Sequence, residues 1–173
     1  AIVGAGCAGR SLAWHLLDAG FDGRRMVLVD PRARFDRDRT WCFFEVWPHA
    51  FEALVSHRWS RWRVRADGPW VERTAPPLGY AHLPADAFYA ATTERLERVA
   101  AGGVDDGAES ARVETGAGPI DAAVVFDSRP PLGRPSGEVT LLQHFEGWEV
   151  EVEQDRFAPD VATLMDFAIP QDH

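Results

Sequence analysis

Apolar positions follow three different periods along this chain. Ala1-Ile2-Val3 is a short continuous apolar run that meets glycines at once, the pattern of a buried strand entering a tight turn. Leu12, Ala13, Leu16 and Leu17 fall at helical spacing and predict a helix over 10–19, with Gly20 where a C-terminal cap belongs. Met26-Val27-Leu28-Val29 reads as a second buried strand, closed by Asp30-Pro31. Strand, helix and strand in this order predict a βαβ unit with parallel strands and a right-handed crossover.

The pattern then changes. Residues 31–46 are rich in Arg and Asp, then aromatic, and read as a loop; 47–56 suit a short helix. Alternation over 59–64, a turn at Ala66-Asp67-Gly68-Pro69 and a run over 70–73 predict a hairpin, and 75–79 a linker. Pro84 opens a helix expected to run to Ala101, with Phe88, Thr92, Leu96 and Val99 on one side. Short strands are expected over 104–115, and a dense apolar strand over 120–126, ending at Asp127-Ser128-Arg129. After a loop over 130–137, residues 139–153 alternate, with Trp148, Val150 and Val152 facing one way and Glu149, Glu151 and Glu153 the other. A last strand is expected over 163–169.

This order predicts an α/β fold in which a Rossmann-like βαβ unit is interleaved with an antiparallel sheet lobe. The expected organisation is a dinucleotide-binding segment over 1–58, a hairpin excursion and linker over 59–79, a return to the nucleotide domain over 80–137, and incomplete antiparallel strands of a substrate lobe over 138–173. The chain begins without Met inside one apolar run and stops just after another, as a fragment of a longer protein would.

Composition narrows the function. The 173 residues are 46% hydrophobic and 26% charged, as in a folded globular protein. The net charge of −9 argues against nucleic acid as a partner, because phosphate binding needs clustered positive charge. Basic residues, all Arg, outnumber acids up to residue 75, and acids dominate afterwards. The early Arg block could attract an anionic cofactor or lipid headgroup, although solvated loop charge is the ordinary role of most such residues. No apolar run approaches a bilayer span. Two cysteines, Cys7 and Cys42, suit neither a zinc site nor a disulfide framework, so no metal is expected and reduced thiols point to the cytoplasm.

One motif carries chemistry. Gly4-Ala5-Gly6-Cys7-Ala8-Gly9 is G-x-G-x-x-G between a predicted strand and a predicted helix. Gly4 allows the sharp turn, Gly6 lets a pyrophosphate approach the backbone, and Gly9 allows close helix–strand packing. The helix N-terminus offers N–H groups and partial positive charge to the phosphates. Asp30, 21 positions after Gly9, can accept both ribose hydroxyls and would repel a 2′-phosphate. The motif alone does not separate FAD from NAD. The antiparallel excursion and the late strand ending at Asp127 favour FAD, although Asp127 is equally an ordinary strand-end residue.

With these residues in hand, Asp38-Arg39-Thr40-Trp41-Cys42-Phe43-Phe44, Val125-Phe126-Asp127-Ser128-Arg129, Gln143-His144-Phe145-Glu146-Gly147-Trp148-Glu149-Val150-Glu151 and Thr163-Leu164-Met165-Asp166-Phe167, in this order, resemble the lycopene cyclase family of carotenoid biosynthesis, in particular its bacterial FAD-dependent β-cyclases. The resemblance covers roughly the N-terminal half of a member. It implies the two-domain flavoprotein hydroxylase-like fold, FAD kept reduced by NAD(P)H, and redox-neutral, acid-initiated closure of lycopene ends to ionone rings. It also implies a carotenoid substrate met peripherally at the inner membrane. The family's later acidic motif, to which the acid role is usually assigned, is absent here, so the fragment is expected to be inactive alone. Two alternatives stand beside it: a related flavin-dependent monooxygenase or isoprenoid reductase, and a non-catalytic dinucleotide-binding module.

Acid-initiated cyclisation needs a proton donor, exclusion of water and aromatic faces near a carbocation. Asp166 in an apolar strand is the first carboxylate to weigh, because burial would raise its pKa, and His144 is a second candidate. Both residue types in such strands are ordinarily structural. Arg39 could contact cofactor phosphates or lie on the surface. Trp41, Phe43, Phe44 and Trp148 are candidate cation-facing aromatics, although each is ordinarily a packing residue.

Overall fold

The coordinates are those of a computed structural model, which describes residues 1–32, 35, 39–75, 77–93, 98–99, 101–106, 111–129, 147–148, 150–154 and 156–168. The chain divides into two units, residues 1–36 with 89–141 and residues 37–88 with 142–173.

In the first unit, β1 (Ile2–Val3) leads through the glycine turn into α1 (Cys7–Asp18), and β2 (Leu28–Val29) returns parallel to β1. Period-two alternation sends Ile2 and Leu28 to one face and Val3 and Val29 to the other. Ile2 and Leu28 pack with Ala5 and Ala13 beneath the apolar side of α1, joined by Leu12, Leu16 and Leu17. The helix ends as expected: Ala19 caps it and Gly20 follows at φ +86°.

The segments that complete this unit come from much later. β8 (Arg98–Val99) pairs parallel with β2, and β12 (Phe126–Asp127) pairs parallel with β1 on its other side. The sheet order is therefore β12-β1-β2-β8, and its strands change direction of succession at β1. Against its second face lies an antiparallel sheet of β9 (Ala101–Asp106), β10 (Ala111–Thr115) and β11 (Ile120–Ala122), where Val113 joins Val3 and Val29 in a second core.

The second unit holds two three-stranded sheets. β3 (Thr40–Glu45), β7 (Gly79–Pro84) and β4 (His57–Trp59) are antiparallel in the order β3-β7-β4. β5 (Arg61–Arg65) pairs antiparallel with β6 (Val71–Thr74) and parallel with β13 (Val161–Asp166). Phe51 and Trp41 meet the ring of Phe88 edge-on at 4.9 and 5.3 Å. Glu45 is buried with Arg58 on both oxygens, at 2.5 and 2.9 Å, and with His49 Nε2 at 2.9 Å. His49 Nδ1 accepts from the Phe51 N–H, so Nε2 carries the proton given to Glu45.

Several expectations are corrected. The stretch read as a loop over 31–46 contains β3, because β7, some forty residues later, supplies its ladder partner. The helix opened by Pro84 is α2 (Ala85–Thr93), with Pro84 closing β7; Arg98–Val99, expected to be helical, instead pairs with β2. Between Pro48 and Ser56 only a single 3₁₀ turn forms, at Glu52–Leu54. The dense run over 120–126 splits between two sheets. The strand over 163–169 begins earlier, at Val161, and its partner β5 is parallel instead of antiparallel, reached by a long crossover. Of the alternating stretch 139–153, the described residues 147–148 and 150–153 carry no strand, and Trp148, Val150 and Val152 are all exposed, Trp148 by 83%. Alternation alone is not enough for a strand, which also needs a neighbour.

Candidate functional site

The glycine turn sits at the C-terminal ends of β1 and β2, where ligands of open parallel sheets bind. Gly4 has φ +96°, a conformation costly for any residue with a Cβ, and its N–H donates to Val29 O at 2.8 Å. A Cβ at Gly9 would land on the Gly4 carbonyl oxygen, so only glycine lets α1 approach the turn this closely. Among the described residues, a Cβ at Gly6 would meet nothing nearer than the Arg32 guanidinium, 3.7 Å away. The backbone there is open to an approaching group. No side chain caps the N-terminus of α1, and its first turn holds no acid, so its partial positive charge is uncancelled by its own residues.

Asp30 is tied to this turn. Ala5 N–H donates to its Oδ2 at 2.6 Å, and Arg32 donates its N–H to Oδ1 at 2.8 Å, its Nε to Oδ1 at 3.0 Å and its Nη2 to Oδ2 at 3.1 Å. Burial acts to raise the pKa of Asp30. The donors from the Arg32 side chain, the Ala5 N–H and the Arg32 N–H together outweigh it and hold the carboxyl below its usual range. Asp30 is thus an ionised acceptor beside the glycine turn. These features fit an adenine dinucleotide: an open turn leading into a helix N-terminus for the diphosphate, and an acceptor carboxylate for the ribose.

Two residues that sequence reasoning passed over complete the turn. Ser128, which follows β12, donates its hydroxyl to Val3 O at 3.0 Å and Gly4 O at 3.1 Å, while its N–H donates to Val3 O at 2.8 Å. Its place directly after a strand expected beside β1 was the available signal. Arg10 is 1% exposed; its Nε donates to Ala5 O at 2.9 Å and its Nη1 to Thr92 and Thr93 hydroxyls at 3.0 and 3.1 Å. The guanidinium lies 5.2 Å from both the Phe35 and Tyr89 ring centres. Its signal was a charge three residues before Ala13 and seven before Leu17, on the apolar face of α1.

The other candidates are placed differently. Asp127 ends β12 beside Val3, but its carboxylate is turned to Arg129, whose guanidinium lowers its pKa. Arg39 is exposed just before β3, in the second unit. The expectation of a raised pKa at Asp166 is overturned: Arg65 grips both its oxygens at 2.9 and 2.6 Å and lowers its pKa, and the side chain is partly exposed. Its strand pairs edge to edge with the Arg-bearing β5, so a cation replaces the apolar surroundings assumed for it. His144 lies outside the described residues. Burial raises the pKa of Cys7, with a smaller opposing effect from Ser11, consistent with a packing role and not that of a nucleophile. Among the described residues no cluster of His, Cys, Asp and Glu could hold a metal, and no helix is long and apolar enough to cross a membrane.

Similarity to solved structures bears on the fold. The halogenase PltM, solved with ethyl mercury and mercury, is 13% identical over 76% of this chain and 35% of its own, with a TM-score of 0.54. CtdE, solved in complex with FAD, is 14% identical over 73% of this chain and 36% of its own, with a TM-score of 0.52. This chain thus has a mixed α/β fold that corresponds to part of theirs and spans about a third of their length. It belongs to the lycopene cyclase family: the sequence model described as "Lycopene cyclase protein" matches residues 1–173. No curated protein sequence matches it.

Proposed function

We propose that this chain forms the dinucleotide-binding part of an FAD-dependent lycopene cyclase that closes the linear ends of lycopene to ionone rings without net redox change. The observation that carries the reading is the open glycine turn joined to an ionised Asp30 through the Ala5 N–H, in a chain of this family. Gly4, Gly6 and Gly9 shape the turn, the N-terminus of α1 faces the diphosphate, Asp30 receives the ribose, and Ser128 and Arg10 hold the turn by its carbonyls. Asp127 is proposed as an outer contact to the same cofactor. NAD(P)H is proposed as the source of its electrons. Bound and reduced, FAD supplies an electron-rich ring system beside a developing carbocation.

For the polyene, this chain contributes aromatic faces and water exclusion. Trp41 and Phe43 are half-buried, whereas Phe44, beside Tyr80 and Trp62, is 38% exposed and is the better placed aromatic of β3. Asp166, ionised by Arg65, is a poor proton donor, so the acid is assigned to the family's later acidic motif. A substrate dissolved in lipid requires the enzyme to work at the membrane surface, which we propose as its location.

The test is expression of the full-length gene in lycopene-accumulating cells, with pigment analysis. Cyclic carotenoids are expected, and a Gly6→Val variant should lose both cyclisation and the flavin absorbance of the purified protein. Unchanged lycopene with a flavin-loaded protein would reject the cyclase reading. Full flavin retention in the variant would reject the assigned turn.

A further inference from the structure

A carboxylate offers about four acceptor positions. At Asp30 all four are used, by Ala5 N–H, Arg32 N–H, Arg32 Nε and Arg32 Nη2. The two backbone donors are fixed: Gly4 N–H is bonded to Val29 O, which locks the turn against β2, and Arg32 N–H is only two residues from its acceptor. The guanidinium is the part that can move. Its side chain is 42% exposed, against 2% for Asp30. Its forked grip, Nε on one oxygen and Nη2 on the other, presents the same pair of parallel donors as a vicinal diol.

A ribose can therefore reach both oxygens only by displacing the guanidinium. Once displaced, the guanidinium has a support at hand, because it stands 4.4 Å from the Phe35 ring centre. We propose that Arg32 is a latch on the dinucleotide site, competing with the ribose diol for Asp30 and setting how strongly the site selects nucleotides that carry that diol. This rests on the dinucleotide reading above.

The test measures binding, not turnover. Dissociation constants of ADP and of 2′,3′-dideoxy-ADP are determined by calorimetry on the purified full-length protein and on Arg32→Met, each freed of bound flavin beforehand. Both nucleotides carry the same diphosphate, so loss of the Arg charge affects both, and the ratio of the two constants isolates the diol. Arg32→Met is expected to raise the preference for ADP by about five-fold or more. Arg32→Gln, which keeps a polar side chain of similar length, should move the ratio the same way and guards against misfolding of the first variant. An unchanged or lowered ratio in both variants, with ADP still bound, overturns the latch alone. Failure of the unmodified protein to bind either nucleotide overturns the dinucleotide reading and the latch with it.

Discussion

Glu45 is a carboxylate with no contact to solvent and three donors around it, two from Arg58 and one from His49. The Arg58 side chain is the largest influence holding its pKa below the usual range. Arg58 keeps 41% of its side chain in solvent, so Glu45→Ala loses charged hydrogen bonds without stranding a charge and should cost about 1–3 kcal/mol, read as a lowered urea midpoint with unchanged slope. A change well under 1 kcal/mol would show that the Glu45–Arg58–His49 triad does not stabilise the second unit. Single residues were legible in the sequence where backbone geometry dictates them. Gly4 and Gly9 fit only as glycine, and Asp30 closes a strand at a fixed distance. Glu45, Arg10 and Ser128 were not, because their roles depend on partners distant in sequence, which no local pattern announces. The same holds in reverse for Asp166, whose apolar neighbours in sequence concealed Arg65 across the ladder.

At the scale of elements, the first βαβ unit was readable because strand, turn, helix and strand each satisfy local rules, and the rules agree. Leu28 shows what the packing is worth. It is 1% exposed between β1 and α1, so Leu28→Ala should destabilise the first unit by about 2–5 kcal/mol, measurable by denaturant unfolding followed by circular dichroism. A shift below 1 kcal/mol would mean that α1 does not depend on that face. The later elements were harder to read. The apolar run over 120–126 looks like one strand but serves two sheets on different layers, and nothing in its hydropathy marks the break. β3 and β7 have only each other and β4 to declare them as strands, and their spacing in sequence hides the pairing. In α2 and β8, pairing at the sheet edge beside β2 overrides a helical pattern that continued on paper.

At the scale of the whole molecule, paired carboxylates set the response to acid. Asp30, Glu45, Asp127, Asp160 and Asp166 all have pKa values lowered in the folded protein. A group of this kind contributes stability that is fully present above its unfolded pKa, about 4, and is lost as pH falls through the lower folded value. Urea midpoints should therefore hold level from neutral pH to about 5 and drop steadily below about 4. A midpoint unchanged at pH 3 would contradict the pairings. The fold class was legible in outline, since a nucleotide-binding start followed by antiparallel strands leaves few architectures. The division into units was less so, because each unit takes residues from both halves of the chain.

That division bears on how the protein is made. β1 acquires its neighbour β12 only when Phe126 and Asp127 have been synthesised, so that flank of β1 stays unsatisfied while more than 120 further residues are translated. Closure of this sheet is bound to be late and slow. In the meantime the nascent chain exposes an unpaired β-edge, and its yield in a cell is expected to fall when chaperones that shield such edges are depleted.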